Sequence, residues 1–157
     1  MTIDGRQVAA GMLAAVPFAR TLGLEFGEIG PDPAGAAGAV RAVVRLPDTP
    51  ATHNHVAGPH AGAMFTLGET ASGTVVMAAL GHLLDRAVPL AVRADIAYRK
   101  LALGPVTATA RLPRPAAEIE AELAAGRRPE FEIPVEIATD DGTVRAEMTV
   151  VWTLRPN

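Results

Sequence analysis

Six segments of the chain alternate apolar and polar residues with the period of a β-strand. They are residues 22–26, 40–46, 92–98, 106–112, 131–137 and 144–154. The loop at 31–38 makes the first two a hairpin, and Asp141-Gly142 is a hairpin turn between the last two. Pro134 indicates that the fifth strand is an edge strand or contains a bulge.

Three other segments have helical patterns. Residues 5–16 predict a short N-terminal helix stopped by Pro17. Residues 61–84 are apolar on every side and too long for a strand, so they predict one long central helix buried on most sides. An insertion at 113–129 contains a third, short helix over 116–125 that ends at Gly126.

The order of these elements predicts the fold class. Regular alternation favours an antiparallel sheet with one covered face, and only the central helix is apolar enough to cover it. We therefore expect an α+β hot-dog fold, a curved antiparallel sheet wrapped around one long central helix, as a single domain over residues 1–157. The open sheet edges and one open side of the helix predict a homodimer or a dimer of dimers.

The composition restricts the binding partners and the cellular compartment that can be expected for the chain. The net charge is −3 with mixed signs and no basic tract, so nucleic acid is not an expected partner. The chain shows neither a secretory signal nor a long uninterrupted apolar run, which predicts a cytoplasmic protein without a membrane span. It has no cysteine, which excludes disulfides and thiolate chemistry.

Glu69 is the main candidate for chemistry. It is the only Asp, Glu, Lys or Arg between Asp48 and Asp85, and it lies in the apolar central helix. Burying an unpaired carboxylate is costly. Glu69 is therefore either a general base or nucleophile in a pocket at a dimer seam, or a residue that points to solvent or caps an interface.

The loop before the central helix offers a complementary group. Small and polar residues precede the helix N-terminus, where backbone N–H groups lack partners and suit a developing oxyanion. They are Asn54, His55, Gly58, His60, Ala61 and Gly62. The Asn54 amide could orient water or a carbonyl, and the small residues would let a ligand approach closely.

The string Asn54-His55-Val56-Ala57-Gly58-Pro59-His60-Ala61-Gly62, followed by Leu67-Gly68-Glu69, resembles the signature of PaaI-type hot-dog thioesterases. It also resembles uncharacterised relatives that carry Glu where many of those enzymes carry Asp. The resemblance implies an acyl-CoA thioesterase in which Glu69 is the base or nucleophile. By the same resemblance the Ala61 N–H polarises the thioester carbonyl, Asn54 positions the reacting groups, and His60 shapes the turn. Ala61 replaces a more common Gly and is expected to narrow the pocket.

The resemblance also bears on the substrate and the assembly. Coenzyme A would be part of the substrate, and no separate cofactor is expected. His55, Gly58 and Gly73 are candidates for substrate binding. Arg99 and Lys100 could reach CoA phosphates or could simply be solvated. Since Glu69 lies ~12 Å along the helix from Ala61, each site would take Glu69 from one protomer and the Ala61 turn from its partner.

Two alternative functions remain open. A hot-dog dehydratase or hydratase acting on a 3-hydroxyacyl group would use His55 with Glu69. A non-catalytic acyl-CoA-binding protein would bind the thioester without turnover. A metal site at His53, His55 and His60 is not expected, because recognised zinc sites need three or four convergent ligands.

Overall fold

Six antiparallel strands form one sheet in the computed structural model, which describes residues 2–157. In chain order they are β1 (Glu25–Pro31), β2 (Val40–Leu46), β3 (Ala87–Tyr98), β4 (Val106–Leu112), β5 (Glu130–Thr139) and β6 (Val144–Pro156). The helices are α1 (Gly5–Ala15), α2 (Pro17–Thr21), α3 (Ala61–Leu80) and α4 (Ala116–Ala124). Across the sheet the order is β1-β2-β4-β5-β6-β3, so β1 and β3 are the edge strands.

The long helix α3 packs on the concave face of the sheet. Its main neighbours are β2 and β4, where Ala42, Ala108 and Ala110 are fully buried. Because these side chains are small, the helix can approach the strands closely, and its own Leu67 and Val75 are fully buried against them. Alternating residues of β4, β5 and β6 complete the core. They are Val106, Leu112, Phe131, Ile133, Val135, Ile137, Ala146, Met148, Val150, Trp152 and Leu154.

The predicted central helix runs from Ala61 to Leu80 and continues as a 3-10 turn, Gly81–Leu83. This segment is long and apolar enough to cross a membrane by composition alone. However, 78% of its most apolar stretch of 18 residues is buried inside the protein, as expected for a core helix. The fold prediction is confirmed: a curved antiparallel sheet wraps around one central helix.

The first strand differs from its predicted position. Residues 17–21 form the unpredicted helix α2, because Pro17 both ends α1 and occupies the first turn of a new helix. Gly23 follows with φ +67°, and the strand begins only at Glu25. The strand contains a bulge between Phe26 and Ile29 and ends at Pro31, a residue that was predicted to lie in the loop.

The third strand is longer and more exposed than its alternation predicted. It begins at Ala87 rather than residue 92, and a register shift between Ala91 and Arg93 interrupts its regular pattern. Val92 and Tyr98, predicted to lie on the covered face, are 49% and 47% exposed. The reason is that β3 is an edge strand and has a neighbour on one side only.

Of the two alternatives predicted from Pro134, the edge strand is wrong, and the irregularity that β5 does contain lies away from Pro134. β5 lies inside the sheet between β4 and β6, and its register shift falls at Ile137/Ala138. The pairing of β5 with β4 ends at Val135, so Pro134 lies one residue beyond that ladder, where its missing N–H costs little. The insertion forms α4, which buries Ile119 completely.

Leu67→Ala should destabilise the fold by roughly 2–5 kcal/mol, because it empties a fully buried position between α3 and the sheet. Leu103→Ala is the matched control, since Leu103 is 57% exposed, and it should change the free energy of unfolding by less than about 0.5 kcal/mol. Urea unfolding followed by circular dichroism measures both. Equal effects of the two substitutions would contradict this packing of α3.

Candidate active site

The turn at the start of α3 presents a free backbone donor. His60 is the N-cap residue, and its Nδ1 accepts a hydrogen bond of 2.8 Å from the Gly62 N–H. The Met64 N–H donates to the His60 carbonyl. Within residues 2–157 the Ala61 N–H has no acceptor. The turn therefore points one unpaired N–H outward at a helix N-terminus, as an oxyanion site requires.

His60 acts in this turn through its acceptor nitrogen. An imidazole that accepts at Nδ1 carries its proton on Nε2. The side chain thus satisfies the second N–H of the helix and leaves the first one free. The turn-shaping role that the resemblance implies for His60 remains a prediction, and the structure places its side chain within that turn.

Asn54 is held by its own loop. Its Oδ1 accepts from the Val56 and Gly58 N–H groups at 3.0 and 3.1 Å, and its Nδ2 donates to the Pro59 carbonyl at 3.5 Å. This network closes a tight turn in which Ala57 has φ +57°. The amide of Asn54 was expected to orient water or a carbonyl; its oxygen is occupied, and one amide hydrogen remains available to a ligand.

A pocket of about 300 Å³ lies beside the turn. Four residues predicted from the sequence line it: Asn54, Ala61, Arg99 and Lys100. Arg99 also pairs with Glu147 at 3.2 Å, whereas Lys100 has no ion-pair partner among the residues the structure describes. Glu69 is not part of this lining. One protomer therefore brings together the turn and the two cations but not the acid.

Tyr98 completes the pocket and was missed as a site residue by the sequence reasoning. Its hydroxyl donates a 2.7 Å hydrogen bond to the Ala61 carbonyl, which joins the end of β3 to the first residue of α3. Partial burial raises the pKa of Tyr98, so the hydroxyl stays protonated and keeps donating. The available signal was that the chain's single tyrosine directly precedes the basic pair.

Glu69 is half-buried, and the charge of its carboxylate has no partner in the described part of the protein. Its carboxylate makes no hydrogen bond or ion pair with any residue in the described range 2–157. Burial raises the pKa of Glu69 above its ordinary value. A carboxylate with a raised pKa is a stronger base, which is the property needed to take a proton from water near neutral pH.

The structure gives other predicted residues packing or loop positions. His55 is exposed in the turn that Asn54 closes and does not share a pocket with Glu69, as a dehydratase within one protomer would require. Gly58 is buried, and a Cβ there would clash with the Ala102 carbonyl. Gly73 packs against the Trp152 ring rather than facing an open pocket.

The three loop histidines do not converge on one point. His53 hydrogen-bonds Asp48 at 2.5 Å, His60 caps the helix, and His55 is exposed. Among residues 2–157, no three His, Cys, Asp or Glu side chains are grouped as metal ligands would be.

Comparison with known proteins places the chain in a family. Residues 5–154 match the model of the family described as "Domain of unknown function (DUF4442)", and the chain belongs to that family. No curated protein matches the chain in sequence.

Solved structures share the fold. A Pseudomonas aeruginosa protein of unknown function, described as a probable thioesterase, is 23% identical, with 100% of this chain and 99% of that chain covered and a TM-score of 0.82. The Escherichia coli PaaI protein of the phenylacetic acid degradation operon is 18% identical, with coverages of 96% and 92% and a TM-score of 0.70. A thioesterase family protein from Silicibacter pomeroyi is 20% identical, with coverages of 98% and 100% and a TM-score of 0.71. The predicted resemblance to the PaaI-type hot-dog fold is thereby confirmed.

Glu69→Gln should raise the melting temperature at pH 7–8. Because the folded-state pKa of Glu69 is raised, its charged form weakens the fold above that pKa, and the penalty disappears as the pH falls through it. The difference between wild type and variant should therefore shrink on acidification toward pH 4.5, the ordinary value for Glu.

Calorimetric melting at several pH values measures this difference. Glu132→Gln is the control, because Glu132 is an exposed residue of β5. Its melting temperature should follow the wild type across the range. If the Glu69→Gln variant is less stable than wild type at pH 8, the charged carboxylate of Glu69 stabilises the fold, which contradicts this prediction.

Proposed function

We propose that the chain is an acyl-CoA thioesterase whose base or nucleophile is Glu69. The observation that carries this proposal is the half-buried carboxylate of Glu69, which has no partner in the described structure. An uncompensated acid in a core helix costs stability and is a pattern typical of functional sites. The thioesterase names of proteins with the same fold support the choice of reaction.

The hydrolysis follows from the groups available. As a base, Glu69 takes a proton from water while the water oxygen attacks the thioester carbonyl carbon. The carbonyl oxygen becomes an oxyanion, and the Ala61 N–H donates to it. The intermediate then collapses with cleavage of the C–S bond, and the CoA thiolate leaves and takes up the proton. As a nucleophile, the Glu69 carboxylate would displace the same thiolate and form an anhydride that water cleaves.

The proposal requires two protomers. Glu69 lies eight residues into α3, ~12 Å along the axis from Ala61, so one chain does not bring both groups to one carbonyl. The edge strand β3 is twelve residues long and exposes Leu90, Val92 and Tyr98. An exposed edge of this length is suited to pairing with a second copy. We propose a homodimer, or a dimer of dimers, that combines Glu69 of one protomer with the Ala61 turn of the other.

The pocket beside the turn would then hold the CoA portion. Arg99 and Lys100 line it and would face phosphate oxygens, while Tyr98 fixes the Ala61 carbonyl. No cofactor is needed, because CoA enters as part of the substrate. A cytoplasmic location fits the supply of acyl-CoA.

One observation favours a second candidate, an acyl-CoA-binding protein without turnover. The resemblance assigns a positioning role to Asn54, but the side-chain carbonyl oxygen of this residue already accepts from two backbone N–H groups. Saturable binding in calorimetry, without release of free thiol, would support this candidate over the enzyme.

Glu69→Ala should lose thioesterase activity, and Ala61→Pro should lower kcat at least about 100-fold, the usual cost of removing one oxyanion donor. Proline is suited to this test because Ala61 is the first helical residue and His60 already has the extended backbone that precedes a proline. Ala61→Ser, which keeps the N–H, is the control and should stay active. Short, medium and aromatic acyl-CoAs are assayed with a thiol reagent. Equal release of CoA by wild type and Glu69→Ala on all of them would refute the enzyme.

Mixing the inactive Glu69→Ala and Ala61→Pro variants tests the shared site. Heterodimers contain one site with both groups intact, so up to about a quarter of wild-type activity per protomer should return after subunit exchange. Light scattering reports the oligomeric state of the same samples. An active monomer at micromolar concentration, or no recovery in verified heterodimers, would exclude a site shared between protomers.

A further inference from the structure

Two glycines flank Glu69 in α3, and β6 covers both. A Cβ on Gly68 would lie 2.5 Å from the Met148 sulfur, and a Cβ on Gly73 would lie 3.4 Å from the Trp152 ring. Met148 and Trp152 are four residues apart, so they project from the same face of β6. One strand thus contacts α3 on either side of Glu69.

A chain of hydrogen bonds reinforces the second of these contacts. The Trp152 Nε1–H donates to Ser72 Oγ at 2.9 Å, and Ser72 Oγ donates to the Glu69 carbonyl at 2.7 Å. An indole nitrogen only donates, so the Ser72 oxygen must accept from it and direct its own proton to Glu69. Ser72 is fully buried, which protects both bonds from water.

The direction of the Glu69 side chain follows from helix geometry. Successive residues rotate by ~100°, so Glu69 leaves α3 about 40° from the direction in which Gly73 meets Trp152. Glycine also weakens a helix interior by ~1 kcal/mol relative to alanine. The turn that carries Glu69 is therefore intrinsically weak, and the Trp152–Ser72 bonds hold it at the carbonyl of Glu69 itself.

We propose that Trp152 and Ser72 are positioning residues that fix the main chain of Glu69 and so aim its carboxylate. Their kinetic effect rests on the proposed thioesterase function, whereas their effect on the environment of Glu69 rests on the geometry alone. Neither residue touches the substrate in this proposal.

Ser72→Ala and Trp152→Phe test the proposal against Thr74→Val. Thr74 is also fully buried in α3 and donates a 2.8 Å bond to a backbone carbonyl, that of Thr70, but it has no tryptophan partner. The first two variants should lower kcat about tenfold with KM changed less than about twofold, and Thr74→Val should keep kcat within about twofold. The double variant should be no slower than the slower single one, because the two residues act in one chain of bonds. Equal kcat losses in Ser72→Ala and Thr74→Val would overturn the proposal.

A measurement independent of activity uses carbon NMR of the Glu69 carboxyl. Burial raises the pKa of Glu69, so a carboxylate that is no longer held in place should become more exposed. Its pKa should therefore move toward the ordinary value of 4.5 in Ser72→Ala and Trp152→Phe but not in Thr74→Val. Trp152→Phe keeps an aromatic ring in the core, so it serves if Ser72→Ala does not fold. If the wild type shows no Glu69-dependent hydrolysis, the proposed thioesterase function is wrong. The titration of Glu69 still tests whether Ser72 and Trp152 position its carboxylate. An unchanged Glu69 titration in Trp152→Phe would overturn it.

Discussion

The close approach of α3 to the sheet is the constraint on which the rest of the structure depends. Fully buried alanines on β2 and β4 leave room for the helix, and glycines on the helix itself leave room for large residues of β6. A helix held this tightly keeps its axis fixed relative to every strand. The Ala61 N–H at its first residue and the Glu69 carboxylate farther along are therefore held at a fixed separation.

Polar groups inside this apolar contact are nearly all satisfied. Ser72, Thr74 and Trp152 form buried hydrogen bonds. In the range 2–157 only the Thr70 hydroxyl is buried without a partner. The half-buried carboxylate of Glu69 also has no partner among these described residues, although it is a stronger acceptor than the hydroxyls of Ser72 and Thr74, which do have partners.

The fold could be read from the sequence because alternation survives wherever one face of a strand is covered. β2, β4, β5 and β6 show this pattern, and α3 is apolar throughout. The pattern missed α2, which is too short to show periodicity. It also failed at the two edge strands, where β1 contains a bulge and β3 loses regular alternation near Val92. These are the positions where pairing, rather than burial, determines the conformation.

The site was predictable only in part. Glu69 stood out by its charge and Ala61 by its place at the start of a helix, and both signals are local. The occupation of Asn54 depends on the geometry of a turn, and the links from Tyr98 to Ala61 and from Trp152 to Ser72 join residues 37 and 80 positions apart. No periodicity reports contacts of that range, so these residues emerge only once the chain is folded.

The hydrogen bond from Tyr98 to the Ala61 carbonyl has a consequence for communication within the molecule. β3 is an edge strand with one unpaired side, whereas the start of α3 carries the free N–H. Since the Tyr98 phenol connects the two, a shift of the end of β3 would also move the Ala61 carbonyl at the start of α3. The position of the free Ala61 N–H thus depends on an edge strand as well as on the buried helix that carries it.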